Sequence, residues 1–102
     1  MGLVLEARKA LEGRIRRTPT EFSAALSDAA KVPVFLKLES LQLTGSFKIR
    51  GAFFVMLRLE DEERRRGIVT CSAGNHGKAV AFVARELGIP AEIHVPRSVD
   101  ES

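Results

Sequence analysis

The apolar positions of this chain change period several times, and the changes mark out alternating helices and strands. Val4, Ala7, Leu11 and Ile15 recur at helical steps, which predicts an amphipathic helix near residues 3 to 16, ended by Thr18 and Pro19. A short helix is expected over residues 22 to 30, with Phe22, Leu26 and Ala29 inward. Pro33 precedes a strand at residues 34 to 39, and residues 40 to 45 read as a polar loop. Residues 47 to 60 carry Phe47, Ile49, Ala52, Phe53, Val55, Met56, Leu57 and Leu59; a helix apolar nearly all round is buried on several sides. A strand at 68 to 72, a helix at 77 to 87 and a strand at 91 to 95 follow. The second helix shows Val80, Val83, Ala84 and Leu87 along one face and stops at Gly88, with Pro90 just beyond. This alternation predicts an α/β fold, a mostly parallel sheet with flanking helices and right-handed crossovers.

Composition narrows the function classes. The chain has 102 residues, enough for one small domain with a modest core. Lysine and arginine exceed aspartate and glutamate by 16 − 13 = 3. The basic clusters at Arg14, Arg16 and Arg17 and at Arg64, Arg65 and Arg66 have no interleaved aromatics, and the acidic run from Glu60 to Glu63 offsets the second. Both read as solvated helix ends, and no nucleic-acid partner is expected. The single cysteine, Cys71, cannot form an intramolecular disulfide, has no metal-ligand spacing around it, and is expected in the core of an apolar strand. The N-terminal apolar run is too short for a signal peptide, Glu6 breaks the myristoylation pattern, and no segment is long enough to span a membrane. The expected setting is a reducing cytoplasm, with no membrane partner and no metal.

Two segments carry candidate chemistry. The first is Gly45-Ser46-Phe47-Lys48-Ile49-Arg50-Gly51-Ala52, which joins the strand 34 to 39 to the apolar helix. An amine at the start of that helix, flanked by Phe47 and Ile49, is partly desolvated and lies near the positive end of the helix dipole; both effects disfavour the ammonium form. A neutral amine is the nucleophile that condenses with a carbonyl. Position alone favours an ordinary solvated lysine behind a Ser46 N-cap. The second segment runs from Ile68 through Ser72-Ala73-Gly74-Asn75-His76-Gly77. A strand, a loop of small residues and a helix present free backbone amides at the helix start, an arrangement that binds phosphate or carboxylate. Alone, that loop reads equally as a polar turn.

Together, Lys37-Leu38-Glu39, Gln42, Thr44 through Ala52 and Ser72 through Gly77, preceded by Arg17-Thr18-Pro19, resemble the threonine dehydratase and serine racemase branch of the pyridoxal-phosphate enzymes with the tryptophan synthase β-chain fold. The resemblance covers residues from about Val4 to Pro96. It implies that Lys48 is catalytic and bonds pyridoxal 5'-phosphate covalently, and that Phe47 packs on the pyridine ring. It further implies that Asn75 meets the phenolic oxygen and that Ser72, Gly74, Asn75 and His76 hold the substrate carboxylate. The reaction implied is conversion of L-threonine or L-serine to a 2-oxo acid and ammonia, with the freed Lys48 amine as base.

The family is two-domained and roughly three times longer than this chain, so the resemblance implies an N-terminal part. Residues 1–60 would belong to the larger cofactor domain and residues 61–102 would open the smaller substrate-loop domain. The family's glycine-rich phosphate loop and the partner of the pyridine nitrogen would lie beyond residue 102. Two departures narrow the branch. Ile49 stands where cysteine-synthase and threonine-synthase relatives carry aspartate, and Ala73 stands where serine racemases place a serine. Alanine cannot exchange a proton, so dehydration, which needs one base, is favoured over racemisation, which needs groups on both faces. The readings carried forward are an ammonia-lyase, a racemase of the same fold, and an inert truncated product or one that associates with full-length subunits. The parent is expected to be a homo-oligomer.

Overall fold

A computed structural model of the chain describes residues 1–97; residues 98–102 of the predicted 61–102 unit lie outside them. Helix α1 (Gly2–Leu11) leads to strand β1 (Thr20–Phe22), helix α2 (Ala24–Ala30) and strand β2 (Phe35–Lys37). Two single turns of 3₁₀ helix, Glu39–Leu41 and Leu43–Gly45, then enter helix α3 (Lys48–Leu57). Helix α4 (Asp61–Arg66), strand β3 (Ile68–Cys71), helix α5 (Asn75–Leu87) and strand β4 (Ala91–His94) complete the order.

The core is made by α3 against α5. Ile49, Ala52, Phe53 and Met56 of α3 meet Ala79, Val80, Val83 and Ala84 of α5, with Leu11 of α1 and Ile89 closing the ends of the cluster. Alanines at three of these positions let the helices approach, and Phe53 stacks edge-on against Phe82 at 6.4 Å. Helix α5 ends as its sequence predicts. Gly88 takes the left-handed conformation at φ 68°, and the Ile89 amide reaches back to the Ala84 carbonyl at 2.9 Å.

The parallel pairing is β3 with β4, in register from Ile68 opposite Ala91 to Cys71 opposite His94. Helix α5 is the crossover between them. The register starts where the Ile68 amide donates to the Pro90 carbonyl at 2.9 Å. Gly67, at φ 85°, permits this approach, because a Cβ there would lie 2.7 Å from the same oxygen.

The α/β class holds, with one departure in pairing. Strand β2 pairs antiparallel with β1, Thr20 opposite Lys37 and Phe22 opposite Phe35, and does not join β3 and β4. The segment predicted as a helix from residue 22 therefore begins as a strand and turns helical only at Ala24. Ser23 is the N-cap, its hydroxyl accepting from the Leu26 amide at 3.3 Å. Phe22, Leu26 and Ala29, expected inward, are exposed. Phe22 instead pairs edge-on with Phe35 at 5.6 Å across the two strands.

Three other expectations change. The apolar helix stops at Leu57 rather than near residue 60, and the charged run after it forms a separate helix with Arg64, Arg65 and Arg66 at its solvated end. In α4 the Glu60 and Glu63 side chains form a reciprocal capping box, with acids in the first turn and arginines in the last, matching the helix dipole. Burial of α3 is one-sided, and Val55 is exposed. Cys71 is exposed. Along β3 burial alternates, with Ile68 and Thr70 half-buried and Val69 and Cys71 exposed, because α5 covers one face of this two-stranded sheet.

Candidate active site

Lys48 is the first residue of α3, and Phe47 is its N-cap by backbone geometry. Ser46, one residue earlier, is buried, and its hydroxyl accepts from the Lys48 amide at 3.4 Å. Successive helical side chains diverge by about 100°. Ile49 consequently points into the core while Phe47 and Lys48 point out. The Lys48 amine sits over the Phe47 ring, 5.3 Å from its centroid. The desolvation expected at Lys48 is therefore not present among the described residues: the side chain is exposed, and Phe47 is 60% exposed.

A cavity of about 570 Å³ runs along this face. It is lined by Phe47, by Lys48, Ala52 and Val55 of α3, and by Val69, Thr70 and His76. It is open and mainly apolar, with an amine and an imidazole at its edges. Among the residues singled out in the sequence, the structure gathers Phe47, Lys48 and His76 here.

Ser72, Gly74 and Asn75 have different surroundings. Ser72 lines a second hollow of about 410 Å³ with Cys71, Ala73 and His94, while Gly74 and Asn75 line neither space. The Ser72 hydroxyl folds back on its own loop, accepting from the Gly74 amide at 3.3 Å and the Gly77 amide at 3.1 Å. The Lys78 amide bonds the Gly74 carbonyl. The amides left at the start of α5 are those of Asn75 and His76, at the positive end of a 13-residue helix.

The sequence alone assigns no role to Glu39 or Gln42. In the fold Gln42 is 3% exposed and fully bonded: its oxygen accepts from the amides of Arg16 and Leu43, and its nitrogen donates to the Arg16 carbonyl and to Glu39. Glu39 also pairs with Arg50, two residues along from Lys48. The Gln42 contacts to Arg16 span 26 residues, and partners so far apart leave no local signal.

An exposed amine beside a ring and an open space would suit an aldehyde, and the amides at the start of α5 would suit a separate anionic group such as a carboxylate. Among the described residues no group of three metal-ligating side chains exists. Among the described residues no helix is long and apolar enough to cross a membrane.

The chain is 47% identical over 94 residues to the L-threonine ammonia-lyase of Thermotoga maritima, covering 92% of this chain and 23% of that protein. It is 43% identical over 99 residues to the catabolic L-threonine dehydratase TdcB of Escherichia coli K12, covering 97% and 30%. Among solved structures it resembles maize serine racemase, with TM-score 0.89 and 38% identity over 98% of this chain and 30% of that one. It also resembles a threonine deaminase from T.th., with TM-score 0.82 and 35% identity over 96% and 31%. The chain thus spans about a quarter to a third of the relatives it matches. The family described as pyridoxal-phosphate dependent enzyme matches residues 11–102, and the chain belongs to that family.

Proposed function

We propose that this chain is the N-terminal part of a pyridoxal-phosphate-dependent ammonia-lyase that converts L-threonine or L-serine to a 2-oxo acid and ammonia. The observation that carries the reading is that Lys48 at the start of α3 and His76 at the start of α5 line one cavity. The named relatives support the substrate class, being an L-threonine ammonia-lyase and an L-threonine dehydratase.

In this proposal Lys48 Nζ would hold the cofactor through its aldehyde, and its free amine is the base that takes the proton from the substrate Cα. When bound, pyridoxal phosphate supplies the electron sink that makes that proton acidic. Phe47 would flank the cofactor ring, and Asn75 would donate to its phenolic oxygen. The carboxylate of the substrate lies on the loop formed by Ser72, Gly74, Asn75 and His76, where the unused amides of Asn75 and His76 supply donors. The Ser72 hydroxyl acts mainly by shaping that loop, since it already accepts from two amides. The division into units 1–60 and 61–102, which falls in the link between α3 and α4, belongs to the same proposal, as do a homo-oligomeric parent and a cytoplasmic setting.

A racemase reading is favoured by the likeness to maize serine racemase. Ala73 weighs against it, because a methyl group cannot serve the second face of Cα.

The test uses the intact parent protein with added pyridoxal phosphate. The expected result is a yellow chromophore and 2-oxo acid formation from L-threonine, both lost in Lys48→Ala. Turnover retained in that variant without added amine would overturn the role of the lysine.

A further inference from the structure

The segment that delivers Lys48 is not self-supporting. Thr44, a β-branched residue, sits in the left-handed region at φ 65°, and Gly45 follows it at φ 77°. Such a conformation in threonine persists only when its surroundings over-determine it. The Thr44 hydroxyl does not help, since Oγ1 is buried without a hydrogen-bond partner among the described residues. Helix α3 itself has no acidic residue in its first turn and no side-chain cap from Phe47.

The hold comes from outside the segment and grips it at both ends. Upstream, Gln42 Oε1 accepts from the Leu43 amide at 3.0 Å and from the Arg16 amide at 2.9 Å, while Nε2 donates to the Arg16 carbonyl at 2.9 Å. Downstream, Arg50 Nε is paired to Glu39. The two grips are one unit, because Gln42 Nε2 also donates to Glu39 Oε2 at 3.1 Å. All four hydrogen-bonding positions of the Gln42 amide are thereby used. Lys48 lies between Leu43 and Arg50, so the clamp brackets the turn that sets the direction of its side chain.

We infer that Gln42 and Glu39 are positioning residues: through Leu43 on one side and Arg50 on the other, they hold the strained Thr44–Gly45 turn and thereby aim the Lys48 amine at an aldehyde. The inference rests on the function proposed for Lys48, and its test separates the two. Misplacing a reacting group by about 1 Å can cost on the order of a hundredfold in rate, so a loosened clamp should be readable.

The intact parent protein is exposed to limiting pyridoxal 5'-phosphate as probe and reduced with borohydride, and labelling is mapped by peptide mass spectrometry. The readout is the ratio of label at Lys48 to label at Lys9, Lys31, Lys37 and Lys78. The wild-type protein is expected to favour Lys48. Glu39→Gln keeps side-chain shape but offers an amide to two donors, and Gln42→Glu places a second carboxylate beside Glu39. Each should lower the Lys48 ratio at least about fivefold while the other four lysines label as before. Loss of the pair is shared, so Glu39→Gln combined with Arg50→Gln should fall no further than either alone. A general loss of folding would instead raise labelling at all lysines together, and circular dichroism reports it independently. Should Gln42→Glu lose its helical signal, the shape-conserving Glu39→Gln carries the test. A Lys48 preference unchanged in the folded variants overturns the positioning role and leaves the proposed function standing. No preference in the wild-type protein overturns both.

Discussion

The Gly77 amide donates to the Ser72 hydroxyl at 3.1 Å, and a Cβ on Gly77 would lie 2.9 Å from the Ser72 backbone oxygen. The loop and the first turn of α5 are in contact there without room for a side chain. Gly77→Ala should therefore push the loop outward and destabilise the chain by about 1–3 kcal/mol, the range for overpacking a tight site. Ser72→Ala removes the acceptor of two amides and should cost about 0.5–2 kcal/mol, as loss of a helix cap does. Chemical denaturation followed by circular dichroism measures both. A Gly77→Ala chain as stable as wild type would show that the loop is free to shift.

Phe53 is buried at the centre of the α3–α5 contact and stacks on Phe82. Truncating such a ring costs about 3–5 kcal/mol, comparable to the whole stability of a small domain. Phe53→Ala should abolish cooperative unfolding of the chain. Val55→Ala, on the exposed side of the same helix, should change stability little, within about 0.5 kcal/mol. Equal effects of the two substitutions would contradict the one-sided burial of α3.

Ala73 offers only a methyl group in the loop before α5. The parent protein should therefore eliminate water from L-serine much faster than it forms D-serine. Chiral chromatography of the reaction mixture, with a parallel 2-oxo acid assay, measures the two products. Comparable rates would put the racemase reading first.

The 102 residues alone should form no 2-oxo acid from L-threonine even with excess pyridoxal phosphate, because preorganised groups around the reacting centre supply much of catalysis and the relatives are three to four times longer. The chain also exposes Leu3, Val4 and Leu5 on α1 and Val69 on β3, which favours self-association. Sedimentation velocity should show species heavier than a monomer. Lysine-dependent turnover near that of the parent protein would show that these 102 residues suffice.

Period and punctuation in the sequence determined most of the helices and the later strands. The face of α5, its stop at Gly88 and the β3–α5–β4 order were legible because each rests on contacts a few residues apart. Lys48 and the Ser72–Gly77 loop were legible as motifs at element boundaries. Tertiary structure decided what depends on distant partners. Phe22 became a strand residue because Phe35 lies opposite it, and Cys71 became exposed because α5 covers only one face of its sheet. Lys48 points away from the core that takes its neighbour Ile49. Gln42 belongs to the sequence motif, but its role shows only when the fold brings Arg16 and Glu39 to its amide. A hydrophobic pattern encodes which residues seek burial, whereas the geometry of a site depends on which surfaces the packed chain leaves facing one another.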